Sequence, residues 1–306
     1  MKPKVSVVMS VYNGGDYLSS ALQSILDQSF SDFEFVIIND GSTDGSLTTL
    51  KKFAKKDKRI NLIDQANAGL VASLNRGIEV ARGQYIARQD ADDKSNPSRL
   101  AKQVEFLDGH PLVVAVGSNI SVMDESGKII HQHAVLLQNP ELQQELLVRS
   151  PFAHGSVMFR RQVALKVGLY DGSTWPAEDY DFWLRLSVHG RLANLDEALY
   201  IYREHSKSIS EQNTDLQNDK SEEVRARAWQ QRARLASSGK INLASYKDLV
   251  MGQVRIQRIL ANQLWITKKA ASRGQLIFAF KVLFRLTSNP LAYKKLAGVL
   301  KRKLIR

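Results

Sequence analysis

Residues Tyr85 to Asp93 read Y-I-A-R-Q-D-A-D-D, so a short apolar stretch runs directly into three carboxylates, Asp90, Asp92 and Asp93. Like charges crowded at a strand end repel one another unless something positive neutralises them. A hard divalent cation, which takes oxygen ligands and bridges to phosphate, is one such neutraliser. The alternative is a polar exit from the strand with solvated Asp side chains. Asp40 ends a second apolar run and precedes Gly41-Ser42. Its carboxylate can accept hydrogen bonds from a base or a ribose hydroxyl, or close an Asx turn in its own loop. Glu178 and Asp179 stand together where a helical pattern opens, where acidic residues complement the helix dipole. His131 and His133 are spaced as on one face of a strand, with no obvious third ligand nearby for zinc.

The elements that must position these groups follow from the hydrophobic pattern. Val5 to Val11, Phe33 to Ile38 and Ile60 to Ile63 read as buried-type strands. Between them Leu18, Leu22, Ile25 and Leu26, then Leu47, Leu50 and Phe53, repeat at helical spacing. Leu70, Leu74 and Ile78 mark a helix closed by Gly83, and Pro97 opens one carrying Leu100, Val104 and Leu107. Such alternation predicts an α/β fold with a mostly parallel sheet flanked by helices. Right-handed crossovers put the loops that follow the strands on one edge, so Asp40 and the Asp90 cluster should approach each other. The second half is less regular. Val113 to Ser118, Ser156 to Phe159 and Ala198 to Tyr202 read as strands, and Asp179 to Val188 as an amphipathic helix. Ser206 to Asn218 is polar and is expected to be mobile, and beyond it the pattern is helical and basic.

The chain has 306 residues, 43% of them hydrophobic, enough for one large domain with an appendage. Cysteine is absent, which excludes disulfides and thiolate metal sites and agrees with a cytoplasmic setting. No signal peptide and no apolar run of spanning length is evident. Residues 215–306 hold 20 Lys and Arg against five Asp and Glu, a net +15, so residues 1–214 carry −3 of the chain's +12. The expected division is a catalytic domain over 1–214 and a helical basic region over 215–306.

Four segments, taken in order, resemble the family 2 glycosyltransferases of the GT-A fold, which are inverting enzymes. They are V-S-V-V-M-S-V-Y-N near the N-terminus, V-I-I-N-D-G-S-T-D at 36–44, G-Q-Y-I-A-R-Q-D-A-D-D at 83–93 and E-D-Y-D-F-W-L-R-L at 178–186. Gln89 departs from the apolar residue typical before the acidic cluster. The resemblance implies a nucleotide-sugar donor, with Asp92 as ligand of Mn²⁺ or Mg²⁺ and Asp90 addressing the ribose, or the metal through water. Asp93 would be either a group behind the ligands or a helix cap. Asp40 would contact the nucleotide. Ser10 and Tyr12 would line the base pocket, with Tyr12 stacking on the base or simply packing. Asp179 would be the general base, with Glu178 holding an acceptor hydroxyl or raising the basicity of its neighbour. His205 would approach the metal or diphosphate, residues 206–218 would form a lid, and His154 would line the acceptor side. Arg160 and Arg161 read as surface or helix-entry charges.

The expectation is transfer of a hexose or N-acetylhexosamine, from a UDP-sugar, to a glycan or lipid-linked acceptor in cell-surface polysaccharide synthesis. Two rivals stand beside it. A sugar-phosphate nucleotidyltransferase would want a Gly-rich basic loop after the first strand, which N-G-G-D-Y is not. A non-catalytic nucleotide-sugar or glycan-binding protein would not need Asp92 and Asp179. In the basic region, Leu276, Ile277, Phe280, Leu283, Phe284 and Leu286 alternate with Lys281 and Arg285, as in helices that lie on anionic membranes. This predicts a peripheral place at the inner face of the plasma membrane; ordinary packing against the catalytic domain is the alternative. No nucleic-acid module accompanies the charge.

Overall fold

The computed structural model describes residues 2–206 and 208–237. The chain divides into two compact units, Met1–Arg232 and Ala233–Arg306. From residue 238 onward the second lies outside the described residues, and the interfacial helix expected around Leu276 to Leu286 lies there with it.

The first half alternates as its pattern requires. Strand β1 (Val5–Val11) is followed by α1 (Leu18–Leu26), β2 (Phe33–Asp40), α2 (Ser46–Lys56), β3 (Ile60–Gln65), α3 (Leu70–Val80) and β4 (Tyr85–Arg88). The four strands are parallel, in spatial order β3-β2-β1-β4. Alternate side chains divide the core in two. Val5, Val7, Met9 and Val11 face Leu18, Leu22 and Ile25 of α1, whereas Val8, Val36, Ile38 and Ile86 join Leu74 and Ile78 of α3 on the opposite face. Each fully buried side chain of this size contributes about 1.5–3 kcal/mol relative to exposure.

The second half turns the sheet mixed. It comprises β5 (Lys94–Ser95), α4 (Arg99–Gly109), β6 (Val113–Met123), β7 (Ile129–His133), α5 (Asn139–Glu145), β8 (Met158–Arg160), α6 (Arg161–Val167), α7 (Glu178–Leu186) and β9 (Arg191–Arg203). Strand β8 lies antiparallel between β4 and β6, and β9 runs parallel to β6. The end of β9 pairs with β5, directly after the acidic cluster. That pairing carries residues 200–205 to the cluster from more than 100 positions away in sequence. Strand β9 begins at Arg191 rather than Ala198, because Arg191–Leu195 continue the ladder with β6.

Residues 206–218 differ from expectation. Most of them form α8 (Ile209–Gln212) and the start of α9 (Thr214–Ser237). The Ser208 hydroxyl caps α8 by accepting from the Glu211 amide. Helix α9 sets Val224 into the core with Ala228 packed beside it, and long polar side chains tie it down further. Gln217 donates to the Pro176 carbonyl at 2.9 Å, Arg225 to the Val148 carbonyl at 2.7 Å, and Arg227 reaches Asp171 and Asp181. Arg160 and Arg161 stand at the entry to α6, one of the two places expected for them, and are partly buried tethers rather than free surface charges. The Arg160 guanidinium donates to the Val113 and Leu107 carbonyls, and that of Arg161 to the Ile78 and Glu79 carbonyls at the end of α3.

Candidate active site

The loops after β1 and β2 lock together at the carboxyl edge of the sheet. The Asn13 amide donates to Ser42 Oγ, the Asn13 side-chain oxygen accepts from the Thr43 amide, and the Gly14 amide donates to Ser46 Oγ. Ser10 sits half-buried at the end of β1, and Tyr12 just beyond it is 55% exposed, with its ring face free of the core. Asp40, 1% exposed, ends β2. Its Oδ1 accepts from Gln65 Nε2 at 2.8 Å and the Ala68 amide at 2.9 Å, and its Oδ2 from the Gly69 amide at 2.9 Å. Burial raises its pKa, but these hydrogen bonds outweigh burial and hold it below the usual carboxylate range. Asp40 therefore ties the loop after β3 to the end of β2 instead of closing a turn in its own loop. Gly41 adopts φ +70, and a Cβ there would meet the Asn67 amide at 2.6 Å, so this close approach requires glycine.

On the far side of β1, β4 ends in Arg88, which is 2% exposed. Its guanidinium donates to Asp90 Oδ1 at 2.6 Å and to the Gln89 carbonyl. Tyr200 of β9 accepts from the Asp90 amide at 3.2 Å and donates to Asp90 Oδ2 at 3.3 Å. Burial pushes the Asp90 carboxyl up, but the Arg88 charge leads the opposing interactions and holds it below its usual range. Asp92 Oδ2 lies 2.9 Å from His205 Nε2. Burial, and then the Asp90 charge, raise the Asp92 carboxyl. Asp93 is buried and accepts from the Arg203 amide at 2.6 Å, so it pins the end of β9 and caps no helix. Burial, with Asp92 and Asp90 beside it, raises its pKa well above normal. Gln89 occupies the turn's interior, where its amide donates to the Asp90 and Asp93 carbonyls and accepts from Ser95 Oγ and Arg99.

Helix α7 delivers the second carboxylate pair. Glu178 is 5% exposed, and its Oε2 has no hydrogen-bond partner. Burial, reinforced by Asp179, raises its pKa to about 7. Asp179 is half-buried and accepts from the Tyr180 amide at 2.6 Å. Burial raises its pKa to about 6, with Asp90 adding to the effect and Arg88 opposing it. The charge of Asp90 thus reaches both members of the pair. His154 lies on the same side. Its Nε2 is 2.9 Å from the Tyr170 hydroxyl and its ring is edge-on to Trp183. Burial, then the Arg88 charge, lower its pKa to about 3, so it is neutral. His131 and His133 lie on β7, exposed and away from this cluster.

Among the described residues no three His, Cys, Asp or Glu are spaced to hold a metal by themselves. Asp92 and His205 do meet, and the raised Asp92 carboxyl marks a site short of positive charge. A carboxylate and an imidazole, with further oxygen ligands from phosphate and water, suit Mn²⁺ or Mg²⁺. The residues present fit such an ion.

Several residues here carried no mark in the sequence. Tyr200 and Arg203 reach the cluster only through the β5–β9 pairing. Arg203 also donates to the Asp92 carbonyl and stacks its guanidinium over Tyr17, with 4.1 Å to the ring centroid. Arg88 alone left a signal, a cation inside an otherwise apolar strand.

Residues 6–169 match the family model described as Glycosyl transferase family 2. The chain is 41% identical over 213 residues to the putative glycosyltransferase EpsE of Bacillus subtilis, covering 68% of this chain and 75% of that protein. It is 35% identical over 208 residues to the O-antigen biosynthesis glycosyltransferase WbnJ of Escherichia coli, covering 67% and 81%. In fold it is similar to residues 1–349 of S. aureus TarS in complex with UDP-GlcNAc, with a TM-score of 0.58 at 19% identity over 92% of this chain and 90% of that one.

Proposed function

As the chain belongs to glycosyl transferase family 2, we propose that it is a metal-dependent inverting enzyme that moves a hexose or N-acetylhexosamine from a UDP-sugar to a glycan or lipid-linked acceptor. The process would be the synthesis of a cell-surface polysaccharide. The observation that carries this reading is that the His154–Gly155 turn abuts both carboxylate elements: a Cβ on Gly155 would lie 2.6 Å from Asp90 Oδ2 after β4, and the His154 ring stands edge-on to Trp183 of α7, the helix that opens with Glu178 and Asp179. A carboxyl raised toward neutrality, as that of Asp179 is by burial, suits a general base. The donor assignment is supported by the fold shared with a protein that binds UDP-GlcNAc, and the pathway by the similarity to an O-antigen enzyme.

Tyr12 offers an open ring face to the base, Ser10 lies beside it, and Asp40 shapes the pocket floor through residues 65–69. Asp92 and His205 would hold Mn²⁺ or Mg²⁺, with Asp90 turned to the ribose or to a water on the ion. When bound, the cation stabilises negative charge on the departing diphosphate. Asp179 accepts the proton of the acceptor hydroxyl while that oxygen bonds to the anomeric carbon. The bond from that carbon to the diphosphate oxygen breaks on the opposite face, and the configuration inverts. Glu178 and His154 line the acceptor side.

Asp179→Asn should lower transfer by about 10²–10⁴ while leaving the thermal stabilisation by UDP and Mn²⁺ intact. Asp92→Ala should abolish that stabilisation. Full transfer activity in Asp179→Asn would show that the base lies elsewhere.

A further inference from the structure

The segment between β1 and α1 carries Tyr12 and ends in a 3₁₀ turn, Gly15–Tyr17. Both ends of this turn are held. The Gly14 and Gly15 amides donate to Ser46 Oγ at 2.9 Å and Asp44 Oδ2 at 3.2 Å, and Leu18, directly after Tyr17, is buried in the core against β1. The Tyr17 carbonyl also accepts from Ser20 Oγ at 2.9 Å. Tyr17 is half-buried, so its ring leaves a fixed stem without entering the core. What the ring covers is the end of β9.

The Glu204 amide still donates to the Met123 carbonyl at 2.9 Å, one residue beyond β9. Arg203 and His205 flank it and turn to the same side, as alternate residues of an extended chain do. Both meet Tyr17. The Arg203 guanidinium lies over the ring, 4.1 Å from its centroid, and the His205 ring centroid is 5.4 Å away at an interplanar angle of 57°. The two neighbours are not equally constrained. Arg203 is buried and committed: its amide donates to Asp93 Oδ1 at 2.6 Å, and its guanidinium to the carbonyls of Asp92, Asp124 and Glu125 at 3.0–3.2 Å. The His205 ring has one hydrogen bond among the described residues, from Nε2 to Asp92 Oδ2 at 2.9 Å. A ring tethered at one atom can still turn about its side-chain bonds, and a contact on its flank limits that turning.

We propose that Tyr17 is a positioning residue for His205: its ring, backed by the fixed guanidinium of Arg203, keeps the imidazole turned to Asp92. This rests on the reading of Asp92 and His205 as the residues that hold the cation. Tyr17 acts through His205 and not by contact with the ion. Because Tyr17 and Tyr12 belong to one short segment, the turn that presents a ring to the base also steadies the cation side of the site.

The experiment is Mn²⁺ binding by the full chain in the presence of UDP, followed by the electron paramagnetic resonance signal of free Mn²⁺. Tyr17→Leu should raise the Kd for Mn²⁺ about tenfold or more, the scale on which loss of a group that orients a metal ligand is felt. Tyr17→Phe keeps the ring and should bind Mn²⁺ as the unsubstituted protein does. Should Tyr17→Leu fail to fold, Tyr17→Met carries the same expectation. An effect that runs through His205 disappears with it, so Tyr17→Leu should add no further loss to His205→Ala, whereas a merely structural role adds the same loss to both backgrounds. Unchanged Mn²⁺ binding in a Tyr17→Leu chain that keeps its near-UV circular dichroism, or equal losses with and without His205, would overturn the proposal and leave the metal reading standing. Undiminished binding in both His205→Ala and Asp92→Ala is the different result that ends the metal reading, and the proposal with it.

Discussion

The residue with the least comfortable place in this protein is Glu178. Its side chain is buried, one oxygen is unpartnered, and burial together with Asp179 moves its pKa to about 7. A carboxyl raised in the folded state binds its proton there at a pH where the unfolded chain has released it. Unfolding stability then falls as pH rises from the unfolded value, about 4.3, through the folded value, and the loss is complete above it. Asp179, raised to about 6, acts in the same direction. The catalytic unit should thus be more stable at pH 5 than at pH 8. Glu178→Gln, which stays neutral, should melt higher than the unsubstituted protein at pH 8 by an amount corresponding to about 1–3 kcal/mol, or several degrees at about 2–4 °C per kcal/mol. The gap should close toward pH 5 in a calorimetric series. A gap of equal size at both pH values would mean that the gain comes from packing and not from the charge.

At the scale of elements, the site depends on close approach between the turn ahead of β8 and the end of β9. A Cβ on Gly155 would collide with the Tyr200 hydroxyl and come within 2.6 Å of Asp90 Oδ2. Gly155→Ala should therefore cost about 1–3 kcal/mol by overpacking and also displace Asp90, with loss of the thermal shift produced by UDP and Mn²⁺. Gly83→Ala is the control. Its Cβ would press on the Ser6 amide at 2.5 Å, far along the strand from the site, so it should lose stability in urea yet keep the ligand-induced shift. The contrast also marks what the pattern of residues could convey. The parallel half was legible because β1 and β2 are apolar runs buried on both faces, and the helices between the strands repeat Leu or Ile at the spacing of the helical turn. Asp40, Asp92 and Asp179 were legible from local motifs. The antiparallel insertion of β8 was not, because a strand of three residues shows no direction in sequence. The β5–β9 pairing was equally silent: Lys94–Ser95 is too short to show alternation, yet it alone brings Tyr200, Arg203 and His205 to the acidic loop. The polar composition of 206–218 suggested a loose segment, because α9 docks in part through Gln217, Arg225 and Arg227, whose partners are carbonyls and carboxylates invisible to a hydrophobic pattern.

Over the whole molecule the charge is divided unevenly, −3 over residues 1–214 and +15 over 215–306. A positive excess of this size in one part of the chain would suit a separate anionic partner, such as a lipid surface. Among the described residues no helix is long and apolar enough to cross a membrane. A lipid-linked acceptor would nonetheless bring the enzyme to a bilayer surface, and each Lys or Arg near an anionic leaflet is worth about 1 kcal/mol. Lys294, Lys295, Lys301, Arg302, Lys303 and Arg306 lie close together in sequence among Leu, Ile and Val. Full-length protein should co-sediment with phosphatidylserine-containing vesicles, and far less with pure phosphatidylcholine. Raising the salt should weaken the binding, because screening shortens the reach of the charges to a few ångströms at about 1 M. Replacing those six residues with Gln should reduce vesicle binding at least tenfold, which needs the loss of only about 1.4 kcal/mol. The stabilisation by UDP and Mn²⁺ should be untouched, since it belongs to the other unit. Equal sedimentation with neutral and anionic vesicles would reject a charge-directed membrane role and favour packing within the protein as the use of these residues.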